Sequence, residues 1–289
     1  IPVNQRPLEG RTAIITGAGR GLGKAMAEGL ATQGAKIALI DLEEEILSAA
    51  VADIEEAGGQ GCALPVQADV TDPDRAHAAI NRISEVFGGF DILINDAAMG
   101  PQFFTNNFVA HTPKFWEHDT ELWHRVLSVN AFGPQLMATA AAPHLIKKQW
   151  GRIVNVTTSL DTMYLRGCGA YGPSKAALEA NTRIMAQDLE GTGVTANILI
   201  PGGPANTRMI PEDTGFDRDE LVQPVAMQKP ICWLCSTDAD STTNRRFIAA
   251  LWDESLPIGD RVEAASAPTA WAQVGSVAKR PSEWVDTKR

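Results

Sequence analysis

Thr12-Ala-Ile-Ile-Thr-Gly-Ala-Gly-Arg-Gly-Leu-Gly23 decides the fold, because in it a short apolar strand runs directly into a glycine-rich turn. The residues that follow, 24–33, have the composition of a helix. Glycine lets the backbone turn tightly and approach a phosphate closely, and the unpaired N–H groups at the start of a helix attract the anion. The glycine spacing is GxxxGxG, whereas the standard dinucleotide motif is GxGxxG, so the turn alone leaves two interpretations open, a phosphate site and a plain tight turn.

Outward from this turn, apolar runs of strand length alternate with amphipathic segments of helix length as far as about residue 199. The predicted strands span residues 12–16, 36–40, 61–66, 90–95, 152–157 and 194–200, with a last strand at 246–252. Asp72-Pro73 is typical of a helix start, and Gly34, Gly58 and Gly88 stand where helices should end. We therefore expect a single-domain, Rossmann-like α/β fold over residues 1–289, a doubly wound parallel sheet with helices on both faces.

Three segments interrupt the alternation: an aromatic-rich loop at about 99–120, a lid at about 202–228 and a C-terminal tail at about 255–289. The loop aromatics predict either the wall of a pocket for an apolar or ring-bearing substrate, or packing against the domain or a second subunit. They are Phe103, Phe104, Phe108, Phe115 and Trp116. The lid is expected to exclude water when it closes. The tail carries Trp271 and Trp284, so we expect it to dock on its own pocket or on a partner subunit.

Composition narrows the function to a small-molecule substrate. The chain has 44% apolar and 21% charged residues, which is typical of a globular protein, and a formal charge of −10, which disfavours nucleic acid and anionic membranes as partners. No stretch approaches the ~20 apolar residues of a membrane helix, and the start has no signal-peptide core, so a cytoplasmic location is expected. The spacing of the histidines and of the four cysteines predicts no metal site, and Cys232 and Cys235 are interpreted as packing residues.

Asp41 ends the second predicted strand, about 20 residues beyond the glycines. A carboxylate at this position can accept hydrogen bonds from an adenosine ribose and repels a 2′-phosphate, which favours NAD over NADP. Arg20, inside the turn, is the counter-argument, because its guanidinium could bind that phosphate.

Further along the chain, Tyr171-Gly-Pro-Ser-Lys175 begins a helical run and follows the hydroxyl cluster at 157–159. Positions i and i+4 share a helix face, so Lys175 is expected beside the Tyr171 phenol. With the glycine turn, Asp41, Asn95 and Asn130, this ordered set resembles the short-chain dehydrogenase/reductase family, over roughly residues 8–208. The resemblance implies an oxidoreductase that binds NAD, or less readily NADP, and forms a homodimer or homotetramer.

The resemblance also implies a role for each matching position. The phosphate turn would comprise Gly17, Arg20, Gly21, Leu22 and Gly23. Asp69 and Val70 look like the pair beside the adenine, and Asn95 and Ala97 belong to an Asn-Asp-Ala-Ala element that is similar to the family's Asn-Asn-Ala-Gly. Pro201, Gly202 and Thr207 resemble the segment against the nicotinamide amide. Asn130, Tyr171 and Lys175 are similar to the catalytic group, in which the asparagine serves a water-linked proton path.

Hydride transfer from an alcohol leaves a proton, which needs a base; the reverse reaction needs an acid. Tyr171 is the predicted acid/base. Lowering its pKa from ~10 to ~7 takes about 4 kcal/mol, and the Lys175 ammonium ~4 Å away, helped by the positive nicotinamide ring, is sufficient in magnitude. For the substrate-orienting hydroxyl, both Thr158 and Ser159 remain candidates, with Ser159 preferred because the family favours serine there. Two other functions stay open, an NADP-dependent carbonyl reductase and a catalytically silent nucleotide sensor.

Overall fold

A central eight-stranded sheet organises the structure, a computed structural model that describes residues 6–105, 107–108 and 113–271. In chain order the strands are β1 (Thr12–Thr16), β2 (Lys36–Asp41), β3 (Ala63–Gln67), β4 (Ile92–Asn95), β5 (Gly151–Val156), β6 (Val194–Ile200), β7 (Arg245–Ile248) and β8 (Ser266–Pro268). Their order in the sheet is β3-β2-β1-β4-β5-β6-β7-β8, and every pair is parallel except β7–β8. The predicted doubly wound α/β fold is confirmed.

Helices connect the strands and cover both faces of the sheet. They are α1 (Gly21–Thr32), α2 (Glu44–Gly58), α3 (Pro73–Phe87), α4 (Thr120–Leu127), α5 (Gly133–Lys148), α6 (Leu160–Met163), α7 (Tyr171–Asp188), α8 (Gln228–Leu234) and α9 (Ile258–Ala265). A π-helical turn, Ser128–Phe132, joins α4 to α5. Among the described residues, no helix is long and apolar enough to cross a membrane.

The core has two layers because alternate residues of each strand face opposite sides of the sheet. In β1, Ile15 packs with Met26 and Leu30 of α1, whereas Ile14 packs with Ile80 of α3 and residues of α5. Both faces of the central strands are buried, which is why these strands are mostly apolar along their length instead of alternating, with buried polar residues such as Asn95 and Asn197 among them.

The predicted helix boundaries are confirmed where turn chemistry marked them. The Asp72 carboxylate caps α3 by accepting from the backbone N–H groups of Asp74 and Arg75, at 2.9 and 3.1 Å. Gly88 ends the same helix in the left-handed conformation. Cys235 is buried in the core and Cys232 packs against it, and the described residues contain no group of side chains that could hold a metal ion.

The C-terminal part of the sheet differs from the prediction. The last predicted strand, 246–252, is wrong, because β7 ends at Ile248 and a 3₁₀ turn follows. Trp252 leaves the sheet to pack its ring against Trp233 and Phe247, with centroids 5.5 and 6.3 Å away. An antiparallel strand, β8, then forms the sheet edge. The described part of the tail therefore adds to the sheet and lines no part of the crevice described below, and residues 272–289, with Trp284, lie outside the described residues.

Candidate active site

A crevice of about 2240 Å³ opens at the carboxyl ends of the parallel strands. It lies where the strand order reverses, between β1 and β4, which is the position at which doubly wound sheets bind ligands. Most of the predicted site residues line it. Gly23, Asn95 and Asn130 are the exceptions, and they lie behind the crevice wall.

Two glycines of the turn between β1 and α1, Gly17 and Gly23, have no room for a side chain. Gly17 has a φ of +68°, and a Cβ atom there would lie 2.8 Å from the Cα of Ala97. A Cβ on Gly23 would lie 2.4 Å from the carbonyl oxygen of Gly17. The first N–H groups of α1 lack intrahelical acceptors, so the turn is a backbone cradle that fits a pyrophosphate.

Asp41 ends β2 on the rim of this cradle. Its carboxylate accepts from the backbone N–H of Gly19 at 3.2 Å and from that of Leu42 at 2.8 Å. Arg20 directs its guanidinium to Glu43 in an exposed ion pair. The carboxylate is thus held by the turn, while the one cation within the turn is already paired.

Asp69 and Val70 lie at the end of β3. The Asp69 carboxylate accepts from the backbone N–H and the hydroxyl of Thr71, at 2.8 and 2.7 Å. Val70 packs so closely on α5 that a Cβ on Gly133 would lie 2.8 Å from its side chain. Both residues line the crevice, as the resemblance implied.

The Asn-Asp-Ala-Ala element after β4 is fixed from two sides. The Asn95 amide donates to Asn155 Oδ1 at 2.8 Å, which ties β4 to β5. The Thr16 hydroxyl accepts from the backbone N–H groups of Asp96 and Ala97, at 3.1 and 3.2 Å. These bonds hold the loop although two of its residues differ from the family pattern.

Asp96 has an electrostatic effect that sequence reasoning missed. Burial raises the pKa of its carboxyl to about 7, against the opposing effects of the Lys175 ammonium and the N–H of Gly23. The family pattern has an uncharged asparagine here, so the departure itself was the only signal in the sequence. The consequence is an acidic group between the glycine turn and the catalytic helix.

Tyr171 and Lys175 both lie in the first turn and a half of α7, and both are buried. The Lys175 ammonium donates to the carbonyl oxygen of Val156 at 2.7 Å. Burial lowers the pKa of Lys175 to about 8, while Asp96 raises it. Burial raises the pKa of Tyr171 to about 12, the Thr158 side chain lowers it by a hydrogen bond, and Cys168 and Asp96 raise it.

In the chain without a bound nicotinamide the phenol keeps a high pKa, because burial of the phenolate costs more than the Thr158 side chain returns. The pKa of ~7 is expected with the help of the positive nicotinamide ring, and it stays a prediction. Asp96 adds a negative charge that further disfavours the phenolate.

The two candidate hydroxyls are in different environments. The Thr158 side chain lines the crevice with Tyr171 and lowers the pKa of the phenol. Ser159 instead caps α6, where its hydroxyl accepts from the backbone N–H of Thr162 at 3.3 Å and is bonded to the Thr162 hydroxyl at 2.6 Å. Both residues line the crevice, but only Thr158 is brought to the phenol.

Asn130 lies in the π-helical turn, fully buried. Its amide donates to the Met99 carbonyl and to the Ser174 hydroxyl, both at 2.9 Å, and its Oδ1 accepts from the Met99 N–H at 2.8 Å. The Ser174 hydroxyl in turn donates to the Tyr171 carbonyl at 2.7 Å. The Asn130 side chain therefore fastens the loop after β4 to α7, and Ser174 is a link in this network that sequence reasoning missed.

The segment after β6 borders the crevice opposite the glycine turn. Pro201, Gly202 and Thr207 all line it, and the Thr207 methyl lies 3.3 Å from the position of a Cβ on Gly21. Within 202–228 the chain folds back on itself through Arg218, whose guanidinium donates to Asn206 Oδ1 at 3.2 Å and to the Ile210 carbonyl at 2.7 Å.

The aromatic residues of the loop after β4 have different surroundings. Phe103 and Phe108 line the crevice, together with Phe216 from the segment after β6, which sequence reasoning missed. Phe104 packs edge-on against His118, and Phe115 packs on Trp116 away from the crevice, both with centroids 4.9 Å apart. Phe103 and Phe108 are thus placed as the pocket-wall interpretation expects, Phe104 packs within the loop region, and Phe115 and Trp116 are 82% and 69% exposed.

Comparisons with known proteins agree with this geometry. The family model described as short chain dehydrogenase matches residues 11–215. The chain is 35% identical to 2,5-dichloro-2,5-cyclohexadiene-1,4-diol dehydrogenase LinX of Sphingobium indicum over 196 residues, 68% of this chain and 74% of the relative. It is 32% identical to NADPH-dependent aldehyde reductase 2, chloroplastic, of Arabidopsis thaliana over 266 residues, 84% and 93% of the two chains. The crystal structure of a dehydrogenase/reductase from Sinorhizobium meliloti 1021 superposes with a TM-score of 0.71 at 31% identity, covering 83% and 93%.

Proposed function

Because the chain belongs to the short-chain dehydrogenase/reductase family, and is thus an oxidoreductase that acts with NAD(P), we propose that it interconverts a secondary alcohol and a ketone or related carbonyl with NAD(H). Tyr171 is the general acid/base. The observation that carries this proposal is the buried phenol in the crevice, which shares the crevice lining with Thr158 and lies one helical turn from Lys175.

The residues fit a bound dinucleotide along the whole crevice. The cradle at 17–23 holds the pyrophosphate, with Arg20 and Leu22 in its wall, and Asp41 accepts hydrogen bonds from the adenosine ribose. Asp69 and Val70 border the adenine. Ala97, Pro201, Gly202 and Thr207 border the nicotinamide, behind which Asn95 supports the sheet.

The nicotinamide, when bound, gives or accepts the hydride. Tyr171 handles the proton. With a pKa of about 12, the resting phenol carries its proton and is ready to donate it to a substrate carbonyl oxygen. In the oxidative direction the phenol must lose that proton, and Lys175 favours this by placing its ammonium on the same face of α7.

Thr158 orients the substrate oxygen next to the phenol, and Ser159 contributes by capping α6 below it. Asn130 keeps the phenol in place through Ser174 and the loop after β4. Both N–H groups of the Asn130 amide are used by Met99 and Ser174, and one acceptor position of its Oδ1 is used by the Met99 N–H. The water-linked proton path stays an expectation from the family resemblance.

The position of Asp41 supports NAD as the preferred cofactor, and the Arg20–Glu43 ion pair supports it too, because Arg20 must leave Glu43 to bind a 2′-phosphate. The relative from Arabidopsis thaliana is NADPH-dependent by its name, so an NADP-dependent carbonyl reductase is the second candidate. Phe103, Phe108 and Phe216 favour an apolar or ring-bearing substrate, enclosed by a lid at about 202–228. The homodimer or homotetramer and the cytoplasmic location remain predictions from the sequence.

The experiment is a comparison of Tyr171→Phe with the parent protein, by absorbance of the reduced nicotinamide over a panel of alcohols and ketones. The other tyrosine, Tyr164, is 76% exposed and bonded to Asp161, so Tyr164→Phe is the matched control. We expect Tyr171→Phe to lose ~10²- to 10⁴-fold in kcat and Tyr164→Phe to keep its activity. Full turnover by Tyr171→Phe would refute the mechanism, and silence of the parent across the panel despite NAD binding would favour a nucleotide sensor.

A further inference from the structure

Glu179 and Arg246 form a buried ion pair that the proposed mechanism does not yet include. Arg246 Nε lies 3.2 Å from Glu179 Oε1, and the two side chains are 6% and 0% exposed. Glu179 follows Lys175 by one turn on α7, and Arg246 lies in β7. Removing two charges from water is unfavourable unless their remaining hydrogen-bonding atoms also find partners.

The remaining hydrogen-bonding atoms of Glu179 and Arg246 bind the two residues that follow β5. The Thr157 hydroxyl donates to Glu179 Oε2 at 3.0 Å. A second guanidinium nitrogen of Arg246 donates to the main-chain carbonyl of Thr158. The pair therefore holds two consecutive residues, Thr157 by its side chain and Thr158 by its backbone. Thr158 lines the crevice together with Tyr171 and lowers the pKa of the phenol.

The segment at 269–270, near the end of the described residues, also binds the Glu179 carboxylate. The backbone N–H of Ala270 donates to Glu179 Oε1 at 3.1 Å, and Ala270 adopts a φ of +56°, a conformation that residues with a Cβ rarely take. Arg183, one turn beyond Glu179 on α7, donates to the Thr269 carbonyl at 3.0 Å. The segment after β8 thus covers the ion pair and leaves Glu179 without solvent contact.

We propose that Glu179 and Arg246 are positioning residues, which fix the Thr158 hydroxyl against the Tyr171 phenol and are kept in place by the chain segment at 269–270. This rests on the proposed function, in which Thr158 orients the substrate oxygen. The guanidinium fork is needed because one arm binds the carboxylate and the other the carbonyl, and a lysine offers only a single nitrogen for both. Loss of the second arm frees the backbone of Thr158 while the charge pair is retained.

A purely structural role would give the same losses for any buried, paired arginine of the sheet. Arg152 provides the comparison: its side chain is 1% exposed, its partner Asp240 is 55% exposed, and it lies at the opposite end of β5, away from the crevice. Arg152→Lys is therefore the matched control for Arg246→Lys. It should lower the unfolding temperature without changing kcat.

The test is a double-mutant cycle between Arg246→Lys and Thr158→Ala, measured as kcat, KM and the Kd of NAD⁺ on the full chain. Arg246→Lys should lower kcat ~10- to 100-fold in the parent, because displacement of a positioned group by about 1 Å can cost that much, and should leave the Kd of NAD⁺ unchanged. In the Thr158→Ala background the same replacement should cost no more than about twofold, since the hydroxyl that it positions is gone. If Arg246→Lys does not fold, Glu179→Gln, which keeps the side-chain volume, takes its place in the cycle.

Equal losses in both backgrounds, or an unchanged kcat for Arg246→Lys in the parent, would overturn the positioning role. Failure of the proposed function is a separate result. It is recognised by full activity of Tyr171→Phe, whereas an inactive Tyr171→Phe together with additive losses in the cycle refutes only the positioning role.

Discussion

Replacement of Asp41 by serine should turn the cofactor preference from NAD toward NADP. The Asp41 carboxylate is held on the rim of the phosphate cradle by the N–H of Gly19 at 3.2 Å and that of Leu42 at 2.8 Å, so a 2′-phosphate on the ribose would meet a fixed negative charge. The serine hydroxyl is also a hydrogen-bond acceptor, and it lets the turn keep its conformation.

The magnitude follows from the charges. Two unit charges about 4 Å apart interact by ~1 kcal/mol in water and by ~4 kcal/mol at an effective dielectric of ~20. Asp41 is half-buried, so a value between these limits applies. We therefore expect the ratio of kcat/KM for NAD to kcat/KM for NADP to fall by roughly 10- to 100-fold, since 1.4 kcal/mol is a factor of ten.

The assay is the initial rate of nicotinamide reduction with each cofactor at one saturating alcohol. Glu43→Gln is the control, because it releases Arg20 from its exposed ion pair but leaves Asp41 in place. An exposed pair contributes at most ~1 kcal/mol, so this control should change the ratio by less than about fivefold. If Asp41→Ser changes the ratio no more than Glu43→Gln does, the assignment of Asp41 is refuted.

Three further predictions concern the same crevice. Gly23→Ala should abolish NAD binding in a titration of intrinsic fluorescence, because its Cβ would lie 2.4 Å from a backbone oxygen; an unchanged Kd would contradict the cradle. Thr158→Ala should lose ~10- to 100-fold in kcat and Ser159→Ala less, and the reverse order would restore Ser159 as the orienting hydroxyl. Asp96→Asn removes a negative charge that raises the pKa of Tyr171, so that pKa should fall and the pH–rate profile should move to lower pH. A profile that stays in place, or moves to higher pH, would show that Asp96 does not act on the phenol.

The centre of the fold could be predicted from the sequence because local and tertiary preferences agree there. β1 and β6 have the predicted bounds, and β2, β4 and β5 differ from them by one or two residues at their ends. In these strands burial on both faces selects a mostly apolar run, and an N-cap begins or a glycine ends the neighbouring helix. The glycine turn is similar, since its φ values and close contacts leave no other residue possible.

β8 could not be predicted from the sequence. It has three residues, ends in proline, and has no periodicity from which a strand could be recognised. Its place is set by pairing with β7 and by the Arg245 side chain, which donates to the Ser266 hydroxyl at 2.9 Å. These are contacts over about 20 residues of chain, and no local pattern encodes them.

The residues of the candidate site could be predicted from the sequence, but the pKa values of their side chains could not. Spacing places Tyr171 and Lys175 on one helix face, yet the pKa of the phenol depends on its burial and on Asp96, which lies 75 residues earlier. The choice between Thr158 and Ser159 likewise depends on α6, a four-residue helix for which Ser159 is the cap. Glu179 had a signal that was available, its i+4 spacing from Lys175, whereas Arg246 had none.

The π-helical turn at Ser128–Phe132 makes this part of the chain sensitive to its length. Such a turn contains one residue more than an α-helical turn, and each residue advances an α-helix by about 100°. Deletion of Val129 would therefore rotate α5 about its axis relative to α4, and Gly133 would lose its contact with Val70 or Asn130 its contact with Ser174. Both contacts, at the two ends of the crevice, form only when α5 keeps its present rotation about its axis. Substitutions in this turn should therefore be tolerated far better than insertions or deletions.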